Sequence, residues 1–140
     1  MKINILSKFQ IFSLLIYSYF INLTKAHEIH TLVSINFTET MKKYDLVVVE
    51  FISSQCGEPC SNLENNLYNI SQDSARFQKE FNKTIYFSKV NAEADERFTQ
   101  KFNILKYPSL YVLYDKYENK FEMTNFTNLS TDTLYNFIDE

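Results

Sequence analysis

Apolar and polar positions fall into runs that predict most elements of the chain. HTLVSINF alternates weakly and predicts a short strand at Thr31–Ile35. TETMKKY is long enough only for a brief helix. LVVVEFI, Leu46 to Ile52, is a β-branched and apolar run interrupted by one acid, which suits a central strand buried on both faces. Leu63, Leu67, Ile70, Phe77 and Phe81 recur at spacings of 4, 3, 7 and 4, the stripe of an amphipathic helix. IYFSKV, Ile85 to Val90, reads as another strand. ADERFTQKF, Ala94 to Phe102, reads as a short helix with Phe98 and Phe102 on one face. SLYVLYD and KFEMT are two strands joined by KYEN, a hairpin. STDTLYNFI closes the chain as a helix with a Ser N-cap.

The resulting order is βαβαβαββα. Strands separated by helices imply right-handed parallel crossovers, and the closing hairpin adds an antiparallel part. The fold class expected is α/β, a mixed sheet between helices, in a single domain. The order alone leaves several α/β folds open.

Residues 1–26 follow a different pattern. Lys2 and Lys8 precede an apolar run from Ile11 to Leu23, and Thr24 and Ala26 are small residues suited to a cut before His27. That is the layout of a secretory signal peptide, with an apolar stretch shorter than the ~20 residues a membrane span needs. The domain is then expected at 27–140, without stable membrane insertion after cleavage. Loss of Lys2, Lys8 and Lys25, with no acid in the leader, moves the net charge from -3 to -6. A mildly acidic domain lacks the basic stripe that phosphate backbones require, so nucleic acid is not an expected partner. A secretory compartment permits disulfides and makes the sequons at Asn22, Asn36, Asn69, Asn82, Asn125 and Asn128 candidate glycan sites.

Both cysteines lie in QCGEPC, residues 55 to 60, which also holds the chain's single glycine. The pair sits between the expected buried strand and the expected amphipathic helix. Cysteines at a helix N-terminus face unpaired N–H groups and the positive end of the dipole, which favour thiolate, the form that attacks disulfides. Glu50 lies within the apolar run six residues before Cys56. A carboxyl there is desolvated, its pKa raised, and suited to relaying protons; a strand that turned it to solvent would leave it ordinary. Tyr107-Pro108 stands just before SLYVLY, where a proline removes a ladder donor.

With these residues in view, the chain from about 30 to 140 resembles a thioredoxin-fold domain of the protein disulfide isomerase type. VVVEFISSQCGEPC resembles that family's strand and active-site segment, IYFSKVNAEAD the strand after the long helix, and KFNILKYPSLYVLYD the stretch bearing its cis-proline. The resemblance implies Cys56 as attacking cysteine and Cys60 as resolving cysteine. It also implies Glu50 as a buried proton-transfer acid with Lys89 as charge partner, and Tyr107 and Pro108 beside the substrate groove. Clients would be cysteine-bearing or unfolded polypeptides met by a monomer in the endoplasmic reticulum or outside the cell, with no cofactor or metal. Three positions depart from the family: Gln55 replaces its Trp, the spacer Gly57-Glu58-Pro59 has three residues instead of two, and Asn103 stands for a glycine. The chain ends in FIDE, unlike a KDEL-type signal.

Pro59 prefers the first helical turn, so a helix starting there encloses Cys60 and leaves Cys56 off its end. Glu58 adds negative charge near both sulfurs. Both effects predict a less acidic nucleophile and a more reducing pair. Two alternatives stay open: a redox-silent, chaperone-like binding module with a structural disulfide, and a copper site that would need His27 or His30 beside the thiolates.

Overall fold

In the computed structural model, residues 28–117, 119–123 and 127–139 are described, together with Ser13. The expected leader apart from Ser13, with His27 and the sequons at Asn22 and Asn125, lies outside the described residues. The sheet has five strands in the order β1-β3-β2-β4-β5: β1 His30–Thr31, β2 Leu46–Ile52, β3 Ile85–Asn91, β4 Ser109–Tyr114 and β5 Asn119–Met123. The helices are α1 Ser34–Lys43, α2 Glu58–Ser71, α3 Ser74–Phe81, α4 Glu96–Gln100 and α5 Thr131–Asp139. The apolar run of β2 now has its reason. Leu46 and Val48 face one core with Leu63, Leu67, Ile70, Phe77 and Leu134. Val47, Val49 and Phe51 face a second with Met41, Phe98 and Phe102. A strand covered on both sides has no polar face, except that Glu50 falls in line with Leu46 and Val48.

β1 and β2 both run parallel to β3, whereas β4 runs antiparallel to β2 and β5 antiparallel to β4. The crossover expectation therefore holds for β2 to β3 and fails for β3 to β4. The cause is length. With 14 residues, α2 rises about 21 Å, close to the ~23 Å of a seven-residue strand, and carries the chain back to the sheet's starting end. The five residues of α4 rise only about 8 Å, and the chain re-enters the sheet from the end at which β3 left it.

Local chemistry corrects three expected boundaries. The strand expected at Thr31–Ile35 stops at Thr31, and Ser34–Lys43 is a ten-residue helix where only a brief one was expected. Asn36 is the reason: its Oδ1 accepts from the Val33 N–H at 2.9 Å and its Nδ2 donates to the Thr31 carbonyl. Asp95 adds to this from across the fold, accepting from the Ser34 N–H at 2.8 Å. Ile35 then points out, 90% exposed. The single stripe from Leu63 to Phe81 is divided into α2 and α3. The Ser71 hydroxyl donates back to the Tyr68 carbonyl at 2.7 Å, and the Asp73 N–H to the Ile70 carbonyl at 2.9 Å, closing the last turn before α3 starts. The helix at the cysteines begins at Glu58, one residue before the expected start, with Pro59 inside its first turn. Ser130 does cap α5, its hydroxyl accepting from the Thr133 N–H. Among the described residues no helix is long and apolar enough to cross a membrane.

Candidate functional site

Cys56 and Cys60 are joined in a disulfide with their Cα atoms 5.7 Å apart. The loop that closes it depends on Gly57, the N-cap of α2, at φ 62° and ψ -135°. An added Cβ would meet no atom within 4 Å, so glycine is required there by backbone conformation and not by crowding. Cys60 falls in the first turn of α2 and is 7% exposed, whereas Cys56 precedes the N-cap and is partly open to solvent. The two sulfurs are therefore inequivalent: one is reachable, the other is covered.

The approach to Cys56 is held by a carboxylate from another loop. Glu93 Oε1 accepts from the Ser53 hydroxyl at 2.8 Å, the Ser54 N–H at 2.9 Å and the Ser54 hydroxyl at 3.0 Å. The Ser53 bond, with the backbone and Ser54 bonds, holds this carboxyl below its usual range. The Cys56 N–H closes the turn on the Ser53 carbonyl at 3.0 Å. Beside this loop opens a cleft of about 470 Å3, lined among others by Gln55, Glu93, Glu96, Asn103, Leu105 and Tyr107. Leu105 projects from its rim, 96% exposed. The Tyr107–Pro108 peptide is cis, and β4 begins immediately after it. Asn103 has φ 54°, the left-handed conformation that an asparagine adopts at modest cost.

Glu50 is fully buried, and neither carboxyl oxygen has a hydrogen-bond partner in the described structure. Desolvation, reinforced by the negative charge of Glu64 and opposed by Lys89, pushes its pKa up to about 8. Lys89 lies opposite Glu50 on β3, as a charge partner would, but its ammonium forms an ion pair with Glu64 of α2. Glu64 lies four residues after Cys60, and α2 packs Leu63 and Leu67 on the sheet face that carries Val48 and Glu50. Of the two histidines, His30 is described and lies on β1 with its ring stacked on Tyr86, and among the described residues no group of three His, Cys, Asp or Glu could hold a metal ion.

The structure thus brings Cys56, Cys60, Gln55 and Tyr107-Pro108 to one end of β2 and α2, with Glu50 beneath. Sequence reading missed Glu64 and Glu93. Glu64 sits in SNLENN among ordinary helix-surface residues, and its partner is 25 residues away. Glu93 contacts the cysteine loop across about 40 residues.

The family model described as thioredoxin matches residues 28–140. The chain belongs to the thioredoxin family. A protein disulfide-isomerase of Ricinus communis is 33% identical over 85 residues, 59% of this chain and 16% of the relative. The chain therefore spans about a sixth of that relative's length. Among solved structures, human ERp44 superposes with a TM-score of 0.65 at 23% identity, over 81% of this chain and 29% of ERp44. The first two thioredoxin domains of Saccharomyces cerevisiae Eps1p give 0.62 at 22% identity, over 79% of this chain and 39% of theirs. Thioredoxin of Trypanosoma brucei brucei gives 0.62 at 18%, over 84% of this chain and 96% of its own. These structural likenesses speak to the fold. This thioredoxin domain differs from the family pattern at the site itself, where Gln55 borders an open cleft and three residues separate the cysteines.

Proposed function

We propose that this thioredoxin domain is a thiol–disulfide oxidoreductase acting on cysteines of polypeptides in the secretory pathway. The observation that carries the reading is the inequivalence of the two sulfurs at the start of α2, Cys56 partly open and Cys60 covered. A client thiolate attacks Cys56 Sγ, the Cys56–Cys60 bond breaks, and Cys60 leaves as a thiolate. Glu50, still protonated near neutral pH, supplies the proton that Cys60 takes up and regains one from solvent. A second client thiolate then attacks the client sulfur of the mixed disulfide and expels the Cys56 thiolate. Two client thiols have become a disulfide and the protein disulfide a dithiol; the reverse sequence reduces a client.

Tyr107 and Pro108, with the cleft at Gln55, form the docking surface in this reading. Glu93 and Glu96 line the cleft, no Lys or Arg is among its described lining residues, and Glu58 lies in the cysteine loop, which favours clients with basic residues flanking the cysteine. The three-residue spacer places Cys56 outside the helical first turn, and with Glu58 it supports a pair more reducing than a strong oxidase. Secretion rests on the leader pattern of residues 1–26. Asn69, Asn82 and Asn128 are exposed and open to glycans, whereas the Asn36 amide is engaged at the start of α1.

A Cys60→Ala variant tests the reading by trapping. Incubated with reduced, unfolded, cysteine-bearing polypeptide and a mild oxidant, it should accumulate a mixed disulfide at Cys56, identified by mass spectrometry. No trapped species, from a pair that also resists dithiothreitol in the unaltered protein, would instead favour a binding module with a structural disulfide.

A further inference from the structure

The buried acid of the site and the lysine opposite it do not meet. Glu50 and Lys89 are register partners on adjacent parallel strands, yet both oxygens of Glu50 are unpartnered and the Lys89 ammonium is paired to Glu64. The reason lies on the helix. Glu64 is one turn beyond Cys60 and half-exposed, so its carboxylate keeps its solvation while reaching over the strand. A lysine has a long flexible stem and follows whichever carboxylate is already charged. A fully buried carboxyl is the weaker competitor, because ionising it costs its hydration.

We propose that Glu64 is a positioning residue: it holds the Lys89 ammonium on the α2 side, away from the buried Glu50 carboxyl, and so keeps Glu50 in the acid form that serves Cys60. The role of Cys60 rests on the oxidoreductase reading above; the electrostatic arrangement does not. The charged and titratable groups facing Glu50 are few. Among the described residues, Lys89 comes from β3, Glu64 from α2, and β4 places Leu110 opposite it. Burial and Glu64 push Glu50 toward the acid form and Lys89 opposes them, so the balance turns on where the ammonium sits.

The experiment is a carboxyl titration by nuclear magnetic resonance on the oxidised protein, with Glu50 assigned through Glu50→Gln. In Glu64→Gln the repulsion from Glu64 is lost and Lys89 is freed, so the Glu50 midpoint should fall by about one pH unit or more. Glu64→Asp, which restores a carboxylate one methylene shorter, should return most of the shift. Lys89→Met should move the midpoint the other way, and Glu64→Gln in that background should lower it less than in the unaltered protein. A midpoint unmoved in Glu64→Gln, or lowered in Lys89→Met, overturns the proposal. The titration needs no exchange chemistry, so its failure is distinct from a failure of Cys60→Ala to trap clients. On the exchanging protein, Glu64→Gln should also shift the alkaline limb of the rate of Cys60 release down in pH, which a merely structural ion pair would leave in place.

Discussion

Replacing Glu50 with Gln should change the pH dependence of stability more than any other single substitution at the site. Its carboxyl titrates near 8 in the folded protein and near 4.3 in an unfolded chain, a difference worth about 5 kcal/mol at 1.36 kcal/mol per unit. The folded pKa is the higher one, so the contribution is fully present below the unfolded value, where both states hold the proton. Between about pH 4.3 and 8 the unfolded chain ionises while the folded one does not, and stability falls by about 1.4 kcal/mol per pH unit. Above that the folded protein carries the full cost of a buried charge. A domain of this size has only about 5–15 kcal/mol in total, so the loss is measurable. Asp45, Glu93 and Asp95, whose pKa values are lowered by hydrogen bonds, act with the opposite sign and at acid pH, and they are common to both proteins. Urea unfolding of the oxidised protein and of Glu50→Gln from pH 4.5 to 9 isolates the Glu50 contribution as the difference of the two curves. That difference should move by about 4–5 kcal/mol in favour of Glu50→Gln as pH rises. A difference constant to within about 1 kcal/mol would refute the assignment of a buried, unpartnered carboxyl.

Gly57→Ala should destabilise the oxidised protein by about 1–3 kcal/mol in urea unfolding, because φ is 62° at ψ -135° while the space around it is open. Asp95→Ala should lower the urea midpoint at neutral pH by uncapping Ser34 in α1 and Phe98 in α4 together. The unaltered protein should lose the same margin as pH falls through the depressed Asp95 pKa, since that carboxyl binds as the ion. Leu105→Ser should leave the unfolding midpoint unchanged and weaken client peptides severalfold in competition assays, since Leu105 is 96% exposed at the rim of the cleft. Peptide disulfides flanked by Lys or Arg should exchange faster than those flanked by Asp or Glu, and about 1 M salt should shrink the difference by screening.

The fold was legible wherever one property dominated a segment. LVVVEFI could be assigned because a strand covered on both faces has no reason to alternate, and Glu50 stood out because it broke that run. The cysteines and Tyr107-Pro108 were legible as motifs, and the structure places them at one end of the sheet. What escaped was decided by contacts between distant residues or by a single side chain. Asn36 and Asp95 turned the expected first strand into the start of α1, and Asp95 lies 61 residues from the Ser34 it caps. The apolar stripe continues through Ser71 and Asp73, so periodicity alone carried no mark of the break between α2 and α3. The family resemblance implied Lys89 as the partner of Glu50, but the competing Glu64 belongs to a helix surface and became visible only with α2 laid across the sheet.

The most direct test of the central claim is the redox equilibrium of the Cys56–Cys60 pair in glutathione buffers, read by alkylation and mass spectrometry. An exchanging site should open and close within the accessible range, with a potential above about -300 mV and below the about -120 mV of a strong oxidase. A pair that stays closed in excess dithiothreitol and transfers no disulfide to a reduced polypeptide would contradict it.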